Sequence, residues 1–227
     1  MKSIIFAILF IEVSSLNLPN LSPKIIGGRD AAENEFPYVV SIRRAELELL
    51  LGEPYHICGG SILNSNTVIS ASHCLFDRFQ NYLNQPGSYF VVAGFVRMWS
   101  DLDTAMKFEV VKIFKHPNYV MDIFRNDIAV LKVAPDFTFD LPNIQPIQIE
   151  TNRNLTEGTL CSVHGWGTLL FEYPLYPDIL QTVDLKISNF DQCNETYEGV
   201  VDSNTQVCGY ESEKDSCSGR KVKSKLY

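Results

Sequence analysis

The stretch RNDIAVLKV (residues 125–133) combines a strand pattern with an acidic residue at the entrance to that strand. Its apolar part, IAVLKV (128–133), is short and rich in β-branched residues, and the Asn-Asp pair before it is a turn signal. Four other runs share this character and are bounded by Gly, Pro, Asn or Asp: YVVSI (38–42), YFVVAGFVR (89–97), FEVVKIF (108–114) and TVDLKI (182–187). Because no long stretch holds a helical period, the sequence predicts an all-β sandwich or barrel.

Two segments interrupt this pattern of strands. AELELLLGEPY (residues 45–55) contains enough leucine and glutamate for a helical turn, but it lies between strands and is interpreted as a loop insertion. The proline-rich connection APDFTFDLPNIQPIQ (residues 134–148) marks the boundary between two halves of the chain.

The composition is that of a chain that folds around an apolar core. The 227 residues are 45% hydrophobic and 20% charged, which is enough for one sizeable globular body or two small ones. The formal net charge of −8 argues against a nucleic-acid partner, because proteins that bind nucleic acids carry a basic excess on one face.

The amino terminus is typical of a secretory signal. MKSIIFAILFIEVSSLN has a lysine, a short apolar run and then small residues that suit a signal peptidase, so residues 1–16 are interpreted as a signal peptide. Glu12 inside the run leaves a buried N-terminal strand as the alternative. No later apolar run reaches the ~18 residues of a transmembrane helix. The sequence therefore predicts a secreted, extracellular protein without a membrane partner.

Six cysteines and three sequons fit the same compartment, although the first sequon, Asn20-Leu21-Ser22, lies in a segment that we expect to be removed. Paired thiols stabilise modest cores in oxidising surroundings, and none of these cysteines is in the CxxC arrangement typical of zinc sites. The sequence predicts no metal site and no cofactor. Asn154 and Asn194 each begin an Asn-x-Thr tripeptide and are candidate glycosylation sites, although such tripeptides also arise by chance.

Five stretches, in one order along the chain, resemble the motifs of the chymotrypsin family of serine endopeptidases. They are the activation junction KIIGG (24–28), the histidine motif VISASHC (68–74), the aspartate motif RNDIAVLKV (125–133) and two landmarks before the nucleophile, CSVHGWG (161–167) and KDSCSG (214–219). Five matches at family-like intervals could hardly arise by chance, and the resemblance covers residues 24–219.

This resemblance implies an all-β fold of two antiparallel Greek-key β-barrels with the catalytic groups in the cleft between them. Residues 17–24 then form an activation peptide, residues 25–140 the first barrel with His73 and Asp127, and residues 141–219 the second barrel. Because the family pattern stops at Gly219, the second barrel is expected to be incomplete, and residues 220–227 to form a divergent basic tail.

His73 and Asp127 are the candidate catalytic residues. A serine hydroxyl needs a base whose pKa lies near the working pH, and imidazole at about 6.5 qualifies. A buried carboxylate on the other ring nitrogen fixes the tautomer and stabilises the imidazolium. The alternative for His73 is a histidine with a structural role, and the alternative for Asp127 is an aspartate that only forms a turn. The three histidines that lack the motif are expected to be structural or exposed: His56, His116 and His164.

The resemblance also implies two disulfides, Cys58–Cys74 and Cys193–Cys208. Closing the first loop, of about 15 residues, contributes roughly 3 kcal/mol in the chain-entropy account and holds the histidine loop in place. Cys161 and Cys217 match cysteines whose family partners lie further downstream, so they are expected to be unpaired or mispaired.

Lys24 and Ile25 form the implied activation site, which a trypsin-like protease would cleave. In the family, the freed ammonium of the isoleucine pairs with an aspartate beside the catalytic serine, because an unpaired buried ammonium is costly. Here Arg220 matches that aspartate and Lys221 matches the serine. Deleting the serine of a triad enzyme costs on the order of a million-fold in turnover, so this chain is expected to be inactive, and its status as an enzyme is uncertain.

Asp215 and Gly219 are the candidate substrate-binding residues. Asp215 matches the floor of the specificity pocket, where a carboxylate pairs with a substrate Arg or Lys, and Gly219 matches an oxyanion-hole position. The implied parent activity is cleavage after basic residues, with protein or peptide substrates and protease inhibitors as partners. The alternative for Asp215 is an exposed aspartate in a polar loop.

Three interpretations of the whole chain follow. The preferred one is a truncated product of a secreted trypsin-like protease gene, with an unrelated coding stretch as its tail. The second is a secreted, non-catalytic homologue that binds a partner through the retained cleft. The third is an interaction protein that uses the basic tail RKVKSKLY (220–227) to bind acidic surfaces, although charge runs are usually just solvated.

Overall fold

The computed structural model describes residues 28–75, 85–101, 103–151, 155–167, 176–210 and 225–226. Their regular elements are mostly β-strands, with two α-helices of seven residues each. The strands are β1 (Arg29–Asp30), β2 (Val39–Arg44), β3 (His56–Asn64), β4 (Thr67–Ser70), β5 (Tyr89–Ala93), β6 (Met106–Lys115), β7 (Ala129–Ala134), β8 (Leu160–Gly165), β9 (Gln181–Ile187), β10 (Cys208–Tyr210) and β11 (Lys225–Leu226). The helices are α1 (Ala45–Leu51) and α2 (Phe190–Thr196).

Six strands close into an antiparallel barrel in the order β2-β3-β4-β7-β6-β5, with β5 pairing back onto β2. The strands β2, β3 and β4 follow one another as antiparallel neighbours, and β5 returns to lie beside β2, which is Greek-key topology. The all-β class and the first barrel predicted from the sequence are confirmed.

The barrel core arises from the alternation of apolar and polar residues along its strands. In β7, Ala129, Leu131 and Val133 are buried while the residues between them are partly exposed, as expected for a strand with one face inside a barrel. Two aromatic rings close the same core, with the centroids of Phe108 and Phe137 4.3 Å apart.

The second half forms a five-stranded sheet around β9. Strand β8 pairs along one edge of β9, while β1 and β10 pair with opposite ends of its other edge, and β11 pairs with β10. The apolar cluster on this sheet is small and consists of Val183 and Leu185 packed against Val163. Strand β1 comes from the amino-terminal part of the chain, so the two halves exchange backbone hydrogen bonds.

A second apolar cluster joins the barrel to this sheet. Trp166 is buried, stacks on Phe95 with ring centroids 4.8 Å apart, and donates from Nε1 to the Val96 carbonyl at 3.1 Å. Val92 and Leu180 pack in the same cluster. The CSVHGWG motif therefore contributes a fixed contact between the halves.

The structure corrects two sequence-based expectations about elements. The run 89–97 was expected to be one strand, but β5 ends at Ala93 because Gly94 has a φ of +81°, which an extended strand does not have. The segment 45–55, interpreted as a loop insertion, contains helix α1, which ends at Gly52 with a φ of +72°.

Several predicted features lie outside the described residues: the signal and activation segments 1–24, Ile25, Asn154, Asp215, Cys217, Gly219 and residues 220–224 and 227. Asn194 is described and lies in α2, where its Oδ1 accepts a hydrogen bond from the backbone of Val201 at 3.1 Å. The described helices are too short to cross a lipid bilayer.

Candidate active site

Strand pairing brings the two candidate catalytic residues together. Strands β4 and β7 are antiparallel neighbours with Ser70 opposite Ala129, so the chain leaves β4 at the point where it enters β7. His73 follows β4 in a 3₁₀ turn, and Asp127 lies two residues before β7. The pairing of β4 with β7 therefore brings together two residues that lie 54 positions apart in the sequence.

Asp127 uses both carboxylate oxygens on His73. Its Oδ2 lies 2.6 Å from His73 Nδ1, and its Oδ1 accepts a hydrogen bond from the His73 backbone N–H at 2.8 Å. An ionised carboxylate only accepts hydrogen bonds, so Nδ1 carries the ring proton and Nε2 is left with a lone pair. This is the tautomer that a general base needs.

Ser72 fixes the same arrangement from the backbone side. Its hydroxyl donates to the carbonyl of Ile128 at 2.7 Å and is fully buried. This bond joins the residue before His73 to the residue after Asp127. It limits relative movement of the two segments without engaging either functional side chain.

The two side chains of the pair differ in their exposure to solvent. The His73 side chain is 44% exposed, whereas that of Asp127 is 17% exposed. Phe124 stands edge-on to the imidazole, with ring centroids 5.7 Å apart and planes at 86°. The carboxylate is thus sheltered, while the imidazole remains accessible to a reacting group.

The loop before Asp127 is held by contacts with the second half. Phe124 and Asn126 have φ values of +50° and +55°. The Arg125 guanidinium lies 3.7 Å from the Asp202 carboxylate, and Gln206 Nε2 donates to the Phe124 carbonyl at 3.4 Å. Asp202 and Gln206 carried no signal in the sequence, because nothing in a local pattern identifies contacts between segments so far apart.

Both expected disulfides are present in the structure. Cys58–Cys74 has a Cα–Cα distance of 6.0 Å and joins β3 to the turn that carries His73. The second bond joins α2 to β10: Cys193–Cys208, at 6.4 Å. Cys161 is a free, exposed cysteine.

One group within the described part of the chain has donor atoms close enough for a metal ion: Cys58, His73 and Cys74. A metal binds the thiolate form of cysteine, and the disulfide leaves no thiolate here. The chemistry of this group therefore does not suit a metal.

The other histidines have structural contacts. His56 Nδ1 lies 2.7 Å from Ser41 Oγ, and burial, with the nearby Arg43 guanidinium, lowers the pKa of His56 to about 4. His164 contacts Tyr38 Oη through Nε2 and Thr182 Oγ1 through Nδ1, each at 3.0 Å. Burial lowers its pKa to about 4 as well. Near neutral pH both are therefore uncharged. Each also contacts the other half of the fold: the His56 ring lies 5.8 Å from the Trp166 ring, and His164 contacts Tyr38.

The comparison with known proteins agrees with this geometry. A family model described as Trypsin matches residues 25–220, which include the His73–Asp127 pair and both halves of the fold. The chain belongs to the trypsin family. The resemblance to chymotrypsin-like serine endopeptidases seen in the sequence is confirmed, and trypsin-family membership implies protein substrates and protein inhibitors as partners.

Three trypsins illustrate the degree of similarity. Cationic trypsin-3 of Rattus norvegicus is 31% identical over 220 residues, which cover 96% of this chain and 81% of that protein. Trypsin II-P29 of Gallus gallus is 35% identical over 201 residues, covering 86% and 71% of the two chains. Trypsin-1 of Astacus astacus is 34% identical over 198 residues, covering 86% and 79%.

Proposed function

We propose that this chain is a secreted trypsin-family protein that retains the proton-transfer pair of a serine endopeptidase specific for Arg and Lys, but lacks its nucleophile. The observation that carries the proposal is the two-point attachment of the Asp127 carboxylate to His73. A histidine with only a structural role does not need a carboxylate that binds both its backbone N–H and its ring Nδ1.

The proton-transfer chemistry follows from the tautomer. His73 Nε2 is placed to accept a hydroxyl proton from a nucleophile and to return it to the leaving amine, while Asp127 remains ionised and stabilises the imidazolium. At the matching position for the nucleophile the sequence has Lys221. With no hydroxyl to activate, the pair has no proton to move, and the expected loss in turnover is on the order of a million-fold.

Specificity and activation are proposed from the motif matches. Asp215 would pair with the basic side chain before the scissile bond, and Gly219 would contribute to the oxyanion hole. An activating trypsin-like protease would cleave between Lys24 and Ile25. Arg220 in the matching position would repel the new ammonium, so activation is proposed to be blocked as well.

Secretion is proposed from residues 1–16, whose pattern matches a signal peptide. The two disulfides support an oxidising compartment, because such bonds do not persist in the reducing cytosol.

A chimera tests the proposal. Residues 220–227 would be replaced by the corresponding carboxy-terminal segment of Rattus norvegicus cationic trypsin-3, in a form whose amino terminus is Ile25. We expect hydrolysis of peptide amides after Arg and Lys, and a matched His73→Ala chimera should lose it. Absence of hydrolysis in a folded chimera would overturn the proposal, and cleavage after aromatic residues would overturn the role given to Asp215.

A further inference from the structure

Helix α1 carries its leucines on the outside of the molecule. Its buried residues are Ala45 and Glu48, whereas the three leucines at its end face solvent: Leu49, Leu50 and Leu51. Leu50 is 77% exposed. A surface helix normally turns its apolar side chains toward the core and its charges toward water. Helix α1 therefore presents an apolar surface that its own fold does not bury.

The buried carboxylate of Glu48 holds α1 in this orientation. One of its oxygens forms an ion pair with Lys107 on β6, and the other lies 3.9 Å from the guanidinium of Arg43, which is itself buried. Turning the helix to bury its leucines would leave Arg43 without its carboxylate, which is costly for a buried charge. The outward orientation of the leucines is therefore a fixed feature of the fold.

Acidic side chains border these leucines. Glu46 is exposed and lies one turn before Leu49 and Leu50, so the three side chains share one side of the helix. Glu53 is also exposed and follows the end of the helix, and α1 itself contains no lysine or arginine. We call Glu46, Leu49, Leu50 and Glu53 the helix surface. It is apolar in the middle and acidic at both ends.

A surface with the opposite charge lies on the outer face of strands β4, β7 and β6. Because these strands are neighbours in the barrel, their pairing sets two rows of outward side chains next to each other. The first row is apolar and consists of Ile69, Val130 and Phe114. The second row is basic, with Lys132 on β7 directly opposite Lys112 on β6. We call these five residues the barrel surface.

The charges of the basic row are not balanced. Lys132 Nζ donates to two neutral oxygens, Asn66 Oδ1 at 2.8 Å and Thr67 Oγ1 at 2.6 Å, and the Lys112 ammonium lies 5.0 Å from the centroid of the Phe114 ring. No carboxylate among the described residues lies within ion-pair distance of either lysine. Like charges directly opposite on neighbouring strands destabilise a sheet. With Phe114 47% exposed beside them, an acidic and apolar partner fits this surface.

The helix surface and the barrel surface lie on opposite sides of the barrel. Helix α1 packs against β2 and β5. Strand β7, the middle strand of the barrel surface, is three strands away from β2 in either direction around the barrel. The two surfaces therefore cannot meet within one molecule. Between two molecules, the leucines of one would cover the apolar row of the other, and the glutamates would pair with the lysines.

We propose that this chain associates with a second copy of itself, with the helix surface of one molecule docked on the barrel surface of the next. Because the two surfaces differ, the contact is heterologous, and such contacts form either closed rings or open chains. The contact involves neither His73 nor Asp127, so the proposal goes beyond the hydrolytic chemistry. It also gives a role to the exposed leucines, which the candidate active site does not use.

Sedimentation velocity of the intact chain tests the contact, from about 1 µM to about 0.5 mM. The salt concentration would be about 0.15 M, which screens the repulsion between molecules of net charge −8 beyond about 8 Å. We expect the average mass to rise with concentration. Leu50→Ser and Phe114→Ser each disable one surface and should each weaken self-association about tenfold. A mixture of the two variants should still form a 1:1 heterodimer with the parental affinity and grow no further, because one intact surface of each kind remains.

Matched variants make the test specific. Leu160→Ser should associate like the parent chain, because Leu160 is an exposed leucine of the second sheet and belongs to neither surface. Glu46→Lys and Lys112→Glu should each weaken self-association, and mixing these two variants should restore it. Circular dichroism would verify that every variant folds.

Three results would overturn the proposal. The first is a parent chain that stays monomeric at every concentration. The second is a homodimer that Leu50→Ser or Phe114→Ser forms as tightly as the parent, since it would mean that the contact does not join the two surfaces. The third is a monomer that binds phosphatidylserine vesicles through Phe114, since the barrel surface would then serve a membrane.

Discussion

The closed barrel and the second sheet differ in how completely they bury the apolar faces of their strands. In the barrel, Leu131 on β7 is fully buried, and the core extends around all six strands. In the second sheet, Leu160 on β8 is 62% exposed, and the apolar cluster on β9 is small. Apolar burial is the dominant stabilising contribution in folding, so the two regions differ in what holds them together.

The candidate catalytic pair lies on the barrel, which buries its apolar faces more completely than the second sheet does. His73 and Asp127 follow and precede neighbouring strands of the barrel, and Ser72 joins their segments. The second half contributes peripheral support, as in the ion pair between Arg125 and Asp202. The geometry of the pair is therefore a property of the barrel, and the comparison can be tested by perturbing one region at a time.

The largest expected effect is on the barrel core. Leu131→Ala should lower the free energy of unfolding by about 3 kcal/mol, because it removes a buried side chain and leaves a cavity. Leu160→Ala should change it by less than about 0.5 kcal/mol, as is usual at exposed positions. Denaturant unfolding monitored by circular dichroism would measure both. Equal losses would mean that the two regions are buried to the same degree.

The next effect concerns His56, a barrel residue whose ring lies edge-on to Trp166 of the second half, with ring centroids 5.8 Å apart. The pKa of His56 is lowered to about 4 by burial and the Arg43 guanidinium, from an ordinary value near 6.5. The unfolded chain therefore takes up protons first, and stability that is present above pH 6.5 is lost as the pH falls toward 4. For His56 this loss is on the order of 3 kcal/mol. Measured by denaturant unfolding across this range, His56→Gln should reduce the pH dependence; an unchanged slope would contradict the assignment.

The smallest effect concerns the hydrogen bond between the segments that carry His73 and Asp127. Ser72→Ala removes the hydroxyl that donates to the Ile128 carbonyl and should cost about 1 kcal/mol. The variant should keep the His73 Nδ1–H proton signal in the NMR spectrum, since Asp127 still holds the ring. Asp127→Ala is the matched control and should lose that signal. Its persistence in the Asp127→Ala variant would show that the carboxylate does not orient the histidine.

The local patterns predicted the all-β class, and the family resemblance implied the barrel and the pairing of His73 with Asp127; the catalytic role of that pair stays a prediction. Strand β7 follows from the short run IAVLKV, which is rich in β-branched residues, and His73 and Asp127 follow from their motifs. Strand β3 was not among the predicted apolar runs, because it contains Cys58, Gly59 and Gly60 instead of an apolar run. A Cβ at Gly60 would lie 2.9 Å from a methyl group of Val68, so close strand packing explains this glycine.

Contacts between distant segments were not predictable from the sequence. Nothing local indicates that Glu48 would be buried against Arg43 and Lys107, and its burial is what turns α1 outward. The roles of His56 and His164 were likewise left as structural or exposed, since their partners lie on other strands. Such contacts are set by tertiary packing and become visible only when the fold is assembled.

The most direct test of the account is labelling of the intact 227-residue chain with a fluorophosphonate probe, followed by mass spectrometry of its peptides. The account predicts no specific adduct, because His73 and Asp127 are present without a serine at position 221. A phosphonylated serine whose labelling is abolished by denaturation and by His73→Ala would contradict it.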